Sequence, residues 1–269
     1  MNVITELHSR NELLFWFGTA HLLLAAICLV MSYSSGLVVN GSNAWYKPTK
    51  FALSIGIYAL TMGWMMDYLN RPIAITRMSW IIVVLLGLEM VYIVVQAGRG
   101  LQSHFNVSTP IYRLLYVGMA AAASGISLLT FYTAILFFKS EFPELDPAYL
   151  WAIRLGMLLF VIFSFEGFVM GSRMSHTIGG PDGGPSLKFL GWSVLHGDPR
   201  IPHFIGMHAM QILPLAAHFV LKDVRWIAGL AAVYTLLAAY TLVLALSGKP
   251  LIDRSAQRSS DQTTVHHTL

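Results

Sequence analysis

The sequence predicts an all-α, polytopic membrane bundle of seven transmembrane helices, with a glycine-rich loop between the fifth and sixth. Three observations carry that expectation. Hydrophobic residues make up 56% of the 269-residue chain and charged residues only 11%, whereas a soluble domain has roughly 25% charged residues. Seven runs approach the about 20 mostly apolar residues that a bilayer span needs: 13–34, 51–69, 78–98, 111–138, 149–171, 203–221 and 226–247. Isolated polar side chains stand inside these runs, foremost Glu89 in the middle of 78–98. A bare carboxylate at membrane depth costs several kcal/mol unless it is paired, protonated or facing water.

Each element has its own signals. The opening MNVITELHSRNE lacks the clean basic region of a signal peptide, and the first run is long enough to stay in the bilayer. The second run follows NAWYKPTKF, where Pro48 suits a first helical turn. At 100° per residue Lys50, Ser54, Tyr58 and Thr61 share one stripe of it. In the third run Glu89, Tyr92, Gln96 and Arg99 share one face, and a dense polar loop QAGRGLQSHFN follows with His104. The fourth run is long enough to tilt, and the fifth carries Glu166 near its end.

The long connector 172–202 contains IGGPDGGP, which reads as irregular; its LKFLGWSVL stretch suits the interface or a re-entrant segment. The sixth run holds His203, His208, Gln211 and Pro214. These readings give a transmembrane domain over 1–248 and a polar, disordered tail over 249–269. His266 and His267 belong to that tail and read as bland.

An odd number of spans puts the termini on opposite faces. Ten Lys and Arg then fall on the C-terminal face and seven on the N-terminal face, a margin supplied by the tail. The positive-inside rule makes the C-terminal face cytoplasmic, and the reading is an integral protein of a bacterial inner membrane. Cys28 is the single cysteine, so no intramolecular disulfide or cysteine metal cluster forms. The net charge of +4 is diffuse, and no basic stripe points to nucleic acid. No P-loop, nucleotide glycine fingerprint or nucleophile elbow is present.

The polar segments NAWYKPTKF, QAGRGLQSHFN and HGDPRIPHFIGMHAMQ all fall on the C-terminal face. That convergence suggests one pocket. Glu166 and His208 are candidate acid–base groups. Lys50, Ser54, Glu89, Gln96, Arg99 and Gln211 are candidate substrate contacts, with Lys50 and Arg99 suited to an anionic head group. His104, His203 and His208 are candidate ligands for a divalent metal or haem. The five-residue spacing of His203 and His208 leaves them about 140° apart on an ideal helix, so they would need a distorted turn to share a metal. The bland alternatives are a snorkelling Lys50, an interfacial Arg99, a structural Glu166–Arg pair and interhelical histidine hydrogen bonds.

The strings KPTKF, QAGRGLQSHFN and HFIGMHAMQILP resemble a group of uncharacterised bacterial polytopic membrane proteins. The likeness covers most of the second, third and sixth runs with their C-terminal-face loops, and implies membrane location alone. Membrane hydrolases of the ceramidase and progestin-receptor type are a more distant analogy. They share the helix count and a histidine metal site, but here Asp67 lies towards the wrong face and the histidine spacing differs.

Three functions compete. The first is a metal- or haem-binding membrane enzyme acting on a lipid or other hydrophobic substrate, or binding an anionic small molecule. The second is a proton-coupled transporter or channel using Glu89. The third is a non-catalytic sensor or assembly protein. The sequence alone leaves open whether the chain is an enzyme.

Overall fold

The structure is a computed structural model that describes residues 2–252. His266, His267 and all but the start of the tail lie outside the described residues. The chain is mostly helical. It begins with a short α1 (Val3–Arg10), then α2 (Glu12–Ser34), a small hairpin of β1 (Val38–Val39) and β2 (Ser42–Asn43), and α3 (Tyr46–Asp67). There follow α4 (Pro72–Gly98), α5 (Pro110–Lys139), α6 (Pro147–Glu166), α7 (Phe168–Arg173), α8 (Arg200–Met207), α9 (Ala209–Phe219) and α10 (Val224–Leu246).

Five helical stretches are long and apolar enough to cross a membrane: α2, α4, α5, α6 continued through α7, and α10. Two of the seven expected runs fall outside that set. Helix α3 carries Lys47, Lys50 and Asp67, and α8 and α9 are only 8 and 11 residues long. Helix starts are fixed by local chemistry. Asn11, Thr109, Asp146 and Asp223 each accept a backbone N–H at the first turn of α2, α5, α6 and α10. Pro72, Pro110 and Pro147 supply the pre-set φ of a first helical position.

Small residues set the tightest packing. A Cβ on Gly18 of α2 would sit 3.1 Å from the Gly56 carbonyl oxygen, and one on Gly56 of α3 3.0 Å from that of Gly18. Two backbones meet there because neither residue has a side chain, as is common where helices associate in lipid. The main core lies among α2 to α6 and the start of α9, with Ala59, Met62, Met66, Ile82, Met90, Ile93, Ile153, Met157 and Met210 almost fully buried. A second core joins α6, α9 and α10 through Ala152, Ala209, Leu213, Ile227 and Ala238.

The fifth and sixth runs are each interrupted. At the α6–α7 junction the Gly167 amide bonds the Ser164 carbonyl instead of that of Phe163. The sixth run breaks at His208, between α8 and α9. Helix α8 fits against α6 so closely that a Cβ on Gly206 would lie 1.9 Å from the Phe163 ring.

Candidate functional site

One end of the bundle is covered by a cap of three loops. Its first piece is the hairpin, whose Asn40-Gly41 turn has φ of 50° and 73°, the signature of a two-residue turn matched to strand twist. Asn43 ties the hairpin to α2 by donating to the Ser32 and Ser35 carbonyls. The second piece is the loop 99–109, joined to the hairpin through Gln102 and Asn40. The third is the segment 174–199, which is irregular apart from the bridges Ile178–Gly197 and Ser186–Ser193. An open cleft of about 340 Å³ runs between the first two pieces, edged by Asn40, Gln102, Asn106 and Ser108.

The third piece is fastened by charge. Lys50 Nζ donates to the Leu190 carbonyl at 2.7 Å, and Arg200 donates to that of Gly191. Asp198, 1% exposed, accepts from Arg200 Nε at 2.9 Å and Nη2 at 2.6 Å, and from the Ser193 amide. Asp182 accepts from the Ser175 hydroxyl and from the amide and Nδ1 of His176. The stretch LKFLGWSVL, expected at the interface or re-entering, is therefore part of the cap.

Beneath the cap lies a group of cationic and neutral bases. Lys47 feels the charges of Lys50 and Arg200, and among the described residues no acceptor reaches its ammonium; the Phe51 ring centroid is 5.8 Å away. The His104 ring meets Phe51 at a tilt, with centroids 5.4 Å apart, and His176 meets Phe105 at 4.7 Å. Burial holds the His104 ring well below the usual histidine range, and the Lys47 charge and His176 push it the same way. Burial also lowers His176, although its bond to Asp182 opposes the shift. The Asp182 carboxyl lies below its usual value. Burial alone would raise it, but the hydrogen bonds from His176, Ser175 and Thr177 outweigh that. Asp198 is taken by Arg200, Asp182 by His176, and Lys50 by the Leu190 carbonyl, so Lys47 is the one of the three basic side chains here without a partner among the described residues.

The residues singled out from sequence separate into groups. Lys50, His104 and Gln96 reach the cap. Gln96 is 1% exposed and donates to Tyr92 and the Gln102 carbonyl, while its Oε1 has no partner. Glu166 and His203 meet at the α6–α7 interruption. His208 and Gln211 bond each other, and Gln211 reaches Thr61 on α3. Glu89 is buried between α4 and α5 against the Ala123 backbone. Ser54 and Arg99 are exposed and join none of these groups.

The structure does not support the expected metal set of His104, His203 and His208. No group of three or more His, Cys, Asp or Glu side chains among the described residues could hold a metal ion. Each ring also has local work, with Nδ1 bonded to Ser103 in His104, to the Phe163 carbonyl in His203 and to Gln211 in His208. Sequence reasoning passed over Lys47, His176, Asp182, Asp198 and Arg200. The available signals were the charge immediately before Pro48 and the two aspartates inside a glycine- and proline-rich connector.

Family models, curated proteins and solved structures were all compared with the chain, and none matches.

Proposed function

We propose that the protein is a seven-span integral membrane protein of a bacterial inner membrane that binds an anionic small molecule or head group beneath its cap. In this reading α3 and the α8–α9 pair complete the seven, and the C-terminal face is cytoplasmic. The observation that carries the proposal is the Lys47 ammonium. It sits half-buried beside Lys50 and Arg200, and both carboxylates of the cap already have partners.

A cation so placed gains most from an anion that arrives with its own charge, because charge-assisted hydrogen bonds are roughly twice as strong as neutral ones. The neutral His104 and His176 rings offer polar, uncharged walls. The lysine is suited to a phosphate or carboxylate as a point charge with three donors.

The test uses the full chain in zwitterionic nanodiscs. Thermal stability is followed against inorganic phosphate and against succinate, with chloride at matched ionic strength as the reference. Saturable stabilisation by one of the two anions, absent from Lys47→Gln, supports the reading. An identical response in wild type and Lys47→Gln overturns it.

A further inference from the structure

The interruption between α6 and α7 gathers buried acceptors without donors. Glu166 is the last residue of α6, and its side chain is 5% exposed. Neither carboxylate oxygen has a hydrogen-bond partner. The closest candidate is His203, whose Nδ1 lies 3.6 Å from Oε2. That nitrogen is already committed. The Gly167 amide has turned to Ser164, which frees the Phe163 carbonyl, and His203 Nδ1 meets that carbonyl at 2.7 Å. A carbonyl only accepts, so Nδ1 carries its hydrogen towards Phe163 and gives none to Glu166.

Cationic side chains are also spent elsewhere. Arg200 is bound to Asp198, and Arg173 on α7 is exposed. Protonating the carboxyl leaves its other oxygen a buried acceptor without a donor. The carboxylate also sits at the C-terminal end of the 20-residue α6, where the helix dipole is negative and favours positive charge.

We propose that Glu166 is the anionic ligand of a buried site for an alkali cation, built into the break of α6. Interrupted helices whose ends and loosened carbonyls coordinate small cations are an established membrane device, and a hard oxygen donor suits such an ion. The site is independent of Lys47 and of the anion beneath the cap.

The experiment measures the thermal midpoint of the full chain in zwitterionic nanodiscs. Sodium, potassium and lithium chlorides each replace choline chloride at constant ionic strength and pH. A saturable rise of roughly 5 °C with one of the ions is expected at about a hundredfold excess over its dissociation constant. Glu166→Gln, which removes a buried charge and keeps the shape, should fold and lose the rise. Glu166→Asp, with its carboxylate withdrawn by one methylene, should weaken the apparent affinity at least tenfold. Lys47→Gln should keep the whole effect, which separates this site from the anion site. The proposal is overturned if no alkali ion shifts the midpoint, if Glu166→Gln responds like wild type, or if only pH moves the midpoint.

Discussion

Two half-buried basic side chains at opposite ends of the bundle have very different surroundings. Arg10, on α1, is surrounded by partners. Its guanidinium bonds Glu6 at 2.8 Å and Asp67 at 3.2 Å, and it stacks over the Trp64 and Tyr68 rings at 4.2 and 4.6 Å. Lys47, under the cap, has an aromatic ring at 5.8 Å and two like charges near it. The first arrangement is finished and structural, tying α1 to α3. The second is incomplete, because a cation held near other cations destabilises the fold unless something else meets it. A protein that satisfies one cation four ways and leaves another unsatisfied is using them differently.

The largest expected effect tests what holds the cap in place. Gly197 lies in its third piece, against α10, and an added Cβ would fall 2.0 Å from the Ala245 carbonyl oxygen. The neighbour is helix backbone and cannot swing aside. Gly197→Ala should therefore cost about 3 kcal/mol, the upper end of ordinary overpacking, and should expose the cap to limited proteolysis. Wild-type resistance in that variant would mean that the cap is not seated on α10.

Arg10→Ala comes next. It removes two ion pairs and two cation–π contacts around a side chain that is 16% exposed. Typical magnitudes for such contacts predict a loss of about 1–2 kcal/mol. A double-mutant cycle with Trp64→Leu should show coupling, measured as the shift in thermal midpoint. Additive effects would show that the stack is an incidental contact.

Much of the helical scaffold was readable from sequence, because hydrophobic run length and the Asn, Thr, Asp and Pro start signals are local properties. The interruptions were not. The break at Gly167 depends on His203, 36 positions later in the sequence, capturing the Phe163 carbonyl. The start of α3 was legible, since the helix begins at Tyr46 with Pro48 in its first turn. At the site, Lys50 and His104 stood out because they are charged or titratable within a polar string. The neighbouring Asp182, Asp198 and Arg200 of the cap did not. An irregular connector has no periodicity from which to read where its side chains will land. Arg99 continues the Glu89 face in sequence, but at the C-cap of α4 its side chain is exposed while Glu89 and Gln96 are buried.

The cap should also be the more acid-sensitive end. The His104 and His176 rings are held below the ordinary histidine value of 6.5 by burial. As pH falls below about 6.5 the unfolded chain takes up these protons and the folded chain does not. Stability contributed by keeping the rings neutral is thus full above that pH and is lost progressively as pH falls towards the folded values. Asp182 acts in a separate window, below its usual 3.8, so measurements between pH 5 and 7 leave it out. Thermal midpoints should decline over that range in wild type and decline less in His104→Gln. Equal slopes would remove His104 from the acid response.

The smallest expected effect is the most informative. Without added anion, Lys47→Gln should leave stability within about 0.5 kcal/mol of wild type, and any change should be towards greater stability. The reasoning follows from the contrast with Arg10. Glutamine keeps most of the length that packs against Phe51 while deleting the excess charge beside Lys50 and Arg200. Nothing among the described residues loses a hydrogen bond, since none reaches the ammonium. A structural cation behaves in the opposite way: removing it leaves its carboxylates stranded, and the fold weakens, as expected for Arg10. Thermal midpoints of Arg10→Ala and Lys47→Gln, measured side by side in anion-free buffer, therefore decide the matter. If Lys47→Gln falls as far as Arg10→Ala, Lys47 is a structural cation after all, and the anion site beneath the cap is lost with it.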